Sequence, residues 1–274
     1  MTRRAILIDG SALVYKCYFS IDPAKNDLED PQLKKRFFST LIYQIKKWMN
    51  LNHYTFGLAV FDIDRKSFRS ELFAEYKSNR DPTPPTLLEW LPEAIEKITE
   101  LGIKTVYCPR GYEGDDLIGT VSKQLTNCDF KVDIFTTDQD LLQLVNYLVS
   151  IYKIKNAFML EIYNHLNFTK LNEGLTPSQI PLLKALAGDQ CDNYPGVPGV
   201  GLKTAQKLIN KYKTLNNLLN SATQIEQPKL RKSILENQDL LLNCLKLSTI
   251  QTNIKFKYIL DDCFIKHENN SGLR

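Results

Sequence analysis

The chain has 274 residues, 43% of them hydrophobic and 24% charged, with 12 Gly and 12 Pro. This excludes a fibrous or largely disordered protein and fits one large domain, or one domain with a small appendage. No run approaches the ~18 consecutive apolar residues of a membrane span. Met1-Thr2-Arg3-Arg4 leads at once into Ala5-Ile6-Leu7-Ile8 without a secretory apolar region, so a cytoplasmic protein with no membrane partner is expected. Six scattered cysteines (Cys17, Cys108, Cys128, Cys191, Cys244, Cys263) form no C-x-x-C pair and have only three histidines to join them. Neither a disulfide framework nor a zinc site is indicated. The net charge of +4 hides an asymmetry. With nine carboxylates discussed below set aside, 22 of the 31 acids remain against 35 Lys and Arg. That surplus suits a polyanion, although a solvated Lys-rich surface accounts for it as well.

In chain order, Ala5 to Asp9 reads as a strand, Phe37 to Met49 as a helix and Gly57 to Asp62 as a second strand. Trp90 to Leu101 is a helix closed by Gly102, Lys104 to Tyr107 a strand, Asp115 to Leu125 a helix and Val132 to Thr136 a strand, with Tyr147 to Tyr152 as a further one. This alternation predicts an α/β fold on a parallel sheet. The rhythm breaks between Tyr76 and Thr86, where Lys77 to Pro85 carries three prolines and three charges. It is expected as a mobile functional loop or a plain polar linker, with no helix or strand inside it. From Leu175 the pattern turns helical. Thr176-Pro177-Ser178-Gln179 has the form of a capped helix start, Pro181 should kink or delay the first turn, and His267 to Gly272 is expected to fray.

The chemistry lies in the acids. Two predicted strands run into aspartate at Asp9 and Asp62, and a third into Asp138-Gln139-Asp140. Ligands of open parallel sheets bind beyond the carboxyl ends of the strands, so these acids should converge. Glu113, Asp115 and Asp116 start a helix, where its dipole favours negative charge, and Asp189 and Asp192 are spaced to share one face of a helical turn. Any one of them taken alone reads as a cap or a solvated loop residue. Gathered in one crevice, they require elevated pKa values or bound cations. An all-carboxylate set selects hard ions such as Mg²⁺ or Mn²⁺, and paired hard ions point to phosphoryl chemistry.

Two further elements suit phosphate. Gly196 to Ala205, between predicted helices, has the G-V-P-G-V-G-x-K-T-A form of a helix-hairpin-helix, in which Gly199, Gly201, Lys203 and Thr204 would meet a DNA backbone. Tyr76, Lys77 and Arg80 place an aromatic and two cations beside a stretch made basic by Arg65, Lys66 and Arg69. Lys77 and Arg80 could oppose charge on a phosphate and Tyr76 could stack on a base, with a solvated basic loop as the alternative.

These motifs together resemble the 5′ to 3′ exonuclease and flap endonuclease family, which includes bacteriophage flap endonucleases and the N-terminal nuclease domain of bacterial DNA polymerase I. The resemblance spans residues 4 to about 220. It implies a PIN-like α/β nuclease core over residues 1–174, with a helical arch around 70–95. A helical DNA-binding region follows over 175–274, with the helix-hairpin-helix at 182–212 and Asp189 and Asp192 lent to the active site. It further implies a first metal cluster of Asp9, Asp62, Glu113, Asp115 and Asp116, and a second of Asp138, Asp140, Asp189 and Asp192. These would hold two Mg²⁺ or Mn²⁺, with a K⁺ at the hairpin. Lys77 and Arg80 match cations at the scissile phosphate, and Lys16, Arg69 and Tyr76 are expected among the residues that contact DNA. Lys16 stands where polymerase-linked members commonly carry Arg, which lacks an ammonium's point-like charge but offers two-pronged phosphate geometry. The implied activity is structure-specific hydrolysis of DNA in replication and repair, by a nucleoid-associated monomer, with a DNA polymerase as a plausible partner. A PIN-type ribonuclease and a catalytically silent DNA-binding module are the alternatives. A stand-alone protein and an excised domain are both compatible with the sequence.

Overall fold

Every residue of Phe56–Phe61 is buried, as expected when an unbroken apolar run lies inside a sheet covered on both faces. The computed structural model describes residues 3–64, 66–156, 159–257 and 260–265. Arg65 and the expected frayed tail lie outside the described residues. The main sheet contains β1 (Arg4–Asp9), β2 (Phe56–Phe61), β3 (Lys104–Tyr107), β4 (Lys131–Thr136), β5 (Val149–Ile154) and β6 (Leu160–Tyr163) in the order β3-β2-β1-β4-β5-β6. All pairings are parallel except that of β5 with β6. β1 is central, with Leu7 registered to Leu58 on one side and Ile134 on the other. The sheet grows outward from β1 to β3 and then restarts at β4, so a crevice opens beyond the carboxyl ends of β1 and β4.

Alternation along the strands divides the core. Leu7, Leu58, Val132 and Ile134 face one cluster, while Ile6, Ile8, Ala59 and Phe135 face another. The second face is covered by α1 (Gly10–Ser20), α2 (Pro31–Met49) and, after the short α3 (Phe68–Leu72), by α4 (Pro85–Glu100). The first is covered by α5 (Gly114–Thr126), through Leu117, Ile118 and Val121.

Three expectations about residues 70–95 change. α4 begins at Pro85, inside the stretch predicted to hold no helix, because a proline at the first helical position loses only a donor that would be orphaned anyway. Leu87, Trp90, Ala94 and Ile98 of α4 lie in the core, so only residues 73–84 stand outside helices. Part of that segment is also docked rather than loose. The Lys77 N–H donates to Asp192 O (2.8 Å), Asn79 Nδ2 to Gln190 O (2.8 Å) and Asn193 Nδ2 to Glu75 O (2.8 Å).

After α6 (Phe168–Leu171), Thr176 and Gln179 close a capping box over a 3₁₀ turn, and α7 (Ile180–Ala187) then starts with Pro181 in its first turn. The delayed start expected from Pro181 is thus a change of helix type at Ile180. β7 (Gly188–Asp189) and β8 (Tyr194–Pro195) form a two-residue ladder before α8 (Leu202–Tyr212). Only glycine fits at both Gly188 and Gly196, since a Cβ on either would lie within 2.5 Å of the other's backbone. α9 (Leu215–Asn220), α10 (Pro228–Glu236) and α11 (Gln238–Ser248) complete a third core with Leu182, Leu186, Val197 and Leu208. The chain does not stay in that helical region. Ile250, Ile254 and Cys263 return to the first sheet face, and Phe264 pairs with Phe56. These residues, from the expected helical region, thus pack on the sheet of the first part.

Candidate active site

The acid at the end of β1 caps the helix that follows it. Asp9 Oδ1 accepts from Ala12 N (2.9 Å) and its Oδ2 from Thr136 Oγ1 at the end of β4 (2.8 Å). Gly10 permits this strand-to-helix turn, because a Cβ there would sit 2.6 Å from the Phe61 ring. Asp62, just past β2, accepts from Gly114 N at the start of α5 (2.7 Å), and Asp138 accepts from Asp140 N (2.8 Å). Burial raises the Asp9 carboxyl to about 7, with Asp62 and Asp138 adding to the effect. Asp115 is also raised well above the ordinary carboxylate range, by burial and then by Asp138, Asp9 and Asp62. These four acids share one field. Asp138, expected in the second cluster, acts electrostatically on Asp9 and Asp115, while its Oδ1 accepts from Asp140 N of the second group.

A second group stands beside it. Asp140, Asp189 and Asp192 each offer an oxygen within 4.8 Å of the others. Asp189 and Asp192 meet through an Asx-type turn rather than the helical face expected, since Asp189 Oδ1 accepts from the N–H groups of Cys191 (2.8 Å) and Asp192 (3.2 Å). Three converging carboxylates with no His or Cys suit a hard divalent cation.

Cations already neutralise part of the site. Lys77 Nζ lies 2.8 Å from Glu113 Oε2, and Arg80 Nη2 lies 2.6 Å from Asp192 Oδ1. Although burial opposes it, Lys77 and Arg69 hold the Glu113 carboxyl below its usual range. Its other oxygen accepts from Ser67 Oγ (2.9 Å). Lys184 contacts both Asp140 and Asp189. Sequence reasoning missed Lys184, Ser67 and Thr136. Lys184 left only one trace, as a cation on an otherwise apolar helix shortly before Asp189.

Three expected roles are corrected. Asp116 is fully buried and turned away from the other acids. Its oxygens accept from Arg69 Nη1 (2.8 Å) and Nη2 (2.9 Å), Glu113 N (3.0 Å) and Gln251 N (2.8 Å), which leaves no oxygen free for a metal ion. Adjacent helical residues point about 100° apart, so Asp115 can face the crevice while Asp116 faces the interior. Arg69, expected at the DNA surface, is 3% exposed and also donates to Leu247 O and Thr249 O. Tyr76, expected to stack on a base, is buried against Tyr194, and its hydroxyl donates to Asp192 Oδ2 (2.9 Å) and lies 3.1 Å from Glu113 Oε2. By contrast, Gly199, Gly201 and Lys203 are exposed, and Thr204 is half-buried in the first turn of α8. Lys16 is half-buried on α1.

Two family models match: the 5′-3′ exonuclease N-terminal resolvase-like domain over residues 4–171 and the 5′-3′ exonuclease C-terminal SAM fold over residues 175–271. The chain belongs to the 5′-3′ exonuclease family. Its relatives include the 5′-3′ exonuclease of Mycoplasma pneumoniae, 34% identical over 92% of this chain and 87% of that protein. They also include DNA polymerase I of Bacillus caldotenax, 33% identical over 98% of this chain. The chain spans 30% of that polymerase's length. Among solved structures, the T5 5′-exonuclease with bound zinc superposes with a TM-score of 0.74 at 23% identity, covering 91% of this chain and 90% of that one. The catalytic core of Rad2 in complex with DNA substrate superposes at 0.58 and 18%, covering 92% and 79%. Both likenesses concern the mixed α/β fold with its helical region.

Proposed function

We propose that this member of the 5′-3′ exonuclease family is a metal-dependent phosphodiesterase that cuts DNA near a 5′ end or a flap junction. One observation carries the reading: Asp9, Asp62, Asp115 and Asp138, together with the Asp140–Asp189–Asp192 group, converge at the carboxyl ends of β1, β2 and β4. The donor set suits two divalent ions, Mg²⁺ or Mn²⁺, one with each group. Bound there, such ions supply Lewis acidity and neutralise phosphate charge. Lys77 and Arg80 can exchange their carboxylate partners for a substrate phosphate and so position it. Tyr76 ties Glu113 to Asp192, and the Arg69–Asp116 pair fixes the start of α5, which carries Asp115. The exposed turn at Gly199–Gly201, with Lys203 and Thr204 in the first turn of α8, would grip the duplex backbone, with K⁺ as the ion suited to the turn's carbonyls.

Among the described residues no helix is long and apolar enough to cross a membrane. The match to DNA polymerase I supports a polymerase as a working partner, and action as a monomer at the nucleoid is part of the same reading. Cleavage of a 5′-labelled flap duplex with Mg²⁺ or chelator, beside single-stranded RNA and with Asp115→Asn as control, tests it. Metal-dependent cuts at the junction that disappear in the variant are expected. Binding without cleavage under either Mg²⁺ or Mn²⁺ would leave only a DNA-binding module.

A further inference from the structure

All three acids of the second group are engaged by groups of the protein itself. Asp192 is held by Arg80 and Tyr76, while Asp140 and Asp189 share Lys184. The two cations differ in placement. The Arg80 side chain is 43% exposed on the segment outside the helices, whereas that of Lys184 is 19% exposed and rises from α7, whose Leu182, Ala185 and Leu186 are packed in the third core. Lys184 Nζ lies 2.7 Å from Asp189 Oδ2 and also contacts Asp140 Oδ1. An ammonium is a compact point charge with three donors, well suited to bridge two carboxylates. It offsets the repulsion between them that would otherwise cost stability. A divalent ion at the same oxygens needs those contacts broken.

We propose that Lys184 is an internal cation of the Asp140–Asp189–Asp192 group, occupying it in the free protein and yielding to a divalent ion by a rotamer change. The inference rests on the reading that these three acids hold such an ion. Metal binding at this group is then conditional. A competitor that fills a site nine-tenths of the time weakens the apparent affinity about tenfold. The Asp9–Asp62–Asp115–Asp138 group has no such lysine bridge among the described residues and fills first.

Mn²⁺ titration followed by electron paramagnetic resonance tests this on the full chain, with wild type, Lys184→Met, Lys184→Arg and Asp192→Asn, each checked by thermal melting. Wild type should show one tighter and one weaker ion, and Asp192→Asn should lose the weaker. Lys184→Met should tighten the weaker ion by about tenfold, while Lys184→Arg, which keeps the charge, should not. An unchanged weak site in Lys184→Met, with Asp192→Asn still losing it, overturns the role of Lys184 and leaves the metal reading intact. Two ions retained in Asp192→Asn overturn the metal reading and the inference with it. Nitrogen-15 resonance of the lysine ammonium groups in wild type gives an independent readout. The Lys184 signal, protected without metal, should lose its protection when Mg²⁺ saturates the weaker site, and persistent protection overturns the inference.

Discussion

Arg69 and Asp116 form a two-pronged ion pair inside the protein, 2.8 Å and 2.9 Å long, with both side chains nearly or wholly out of solvent. The pair sits where three parts of the chain meet, because Arg69 also reaches Leu247 O and Asp116 also accepts from Gln251 N. Removing one partner strands the other charge, which typically costs about 3–5 kcal/mol. Arg69→Met should therefore lower the melting temperature strongly, and Asp116→Asn somewhat less. The double variant Arg69→Met/Asp116→Leu should recover only part of the loss, because it removes the stranded charge but leaves Leu247 O, Thr249 O, Glu113 N and Gln251 N without these partners. Equal melting of wild type and Arg69→Met would contradict this account.

Tyr76 is a neutral side chain that links Glu113, at the start of α5, to Asp192 of the second group. Tyr76→Phe keeps the ring against Tyr194 and removes only the hydroxyl between Glu113 and Asp192. Outer groups that orient ligand carboxylates typically contribute 10–100-fold to metal affinity or activity. The phenylalanine variant should fold normally and cut DNA about 10–100-fold more slowly. Its duplex affinity should stay at the wild-type level, since the Tyr76 side chain is buried. A base-stacking role would instead weaken binding and leave the rate with bound substrate less affected, so the split between KM and kcat decides the question.

Asp9 gives the metal-free protein a pH dependence. Its carboxyl is raised to about 7 by burial and by Asp62 and Asp138, above its value in the unfolded chain. The folded state therefore binds the proton more tightly. The associated stability is fully present below the unfolded pKa of about 4 and is lost as pH rises through the folded value. Without divalent ions, the protein should melt at a lower temperature at pH 8 than at pH 5.5. Asp9→Asn should flatten this trend, and saturating Mg²⁺ should oppose it by stabilising the ionised acids. A melting temperature that rises with pH in chelator would count against the assignment.

The strands that lead to Asp9, Asp62 and Asp138 were legible because short runs rich in apolar residues, one of them interrupted by Asp133, ran into acid, the pattern of a buried parallel strand meeting a ligand edge. β6 was not, because Leu160-Glu161-Ile162-Tyr163 is a short edge strand whose alternation covers only four residues. The return of Ile250 and Ile254 to the sheet was missed, although Ile250, Thr252, Ile254 and Phe256 alternate with polar Gln251, Asn253, Lys255 and Lys257, in a segment that forms no strand. Asp115 and Asp116 are adjacent and chemically alike. Only the helix rotation, together with a buried arginine 47 residues earlier, separates a crevice acid from a structural one. Arg69 itself read as a surface cation because the residues around it are charged, and its partners, Asp116 and the carbonyls near residue 248, are distant in sequence.

The hairpin permits a test that does not depend on catalysis. Lys203 is exposed in the first turn of α8, whose N-cap Gly201 has no side-chain hydrogen bond, so the free N–H groups and the ammonium present one anion-binding end. Its contact should be with phosphate, which carries no sequence information. Each neutralised phosphate contributes about −0.9 to the slope of log K against log salt. Lys203→Ala should therefore weaken duplex binding to a similar degree across unrelated sequences and make the salt slope shallower by about one. Asp115→Asn should leave the slope unchanged, because a carboxylate neutralises no phosphate. Equal slopes for wild type and Lys203→Ala, measured by fluorescence anisotropy in chelator, would remove α8 from the DNA interface while leaving the acid site untouched.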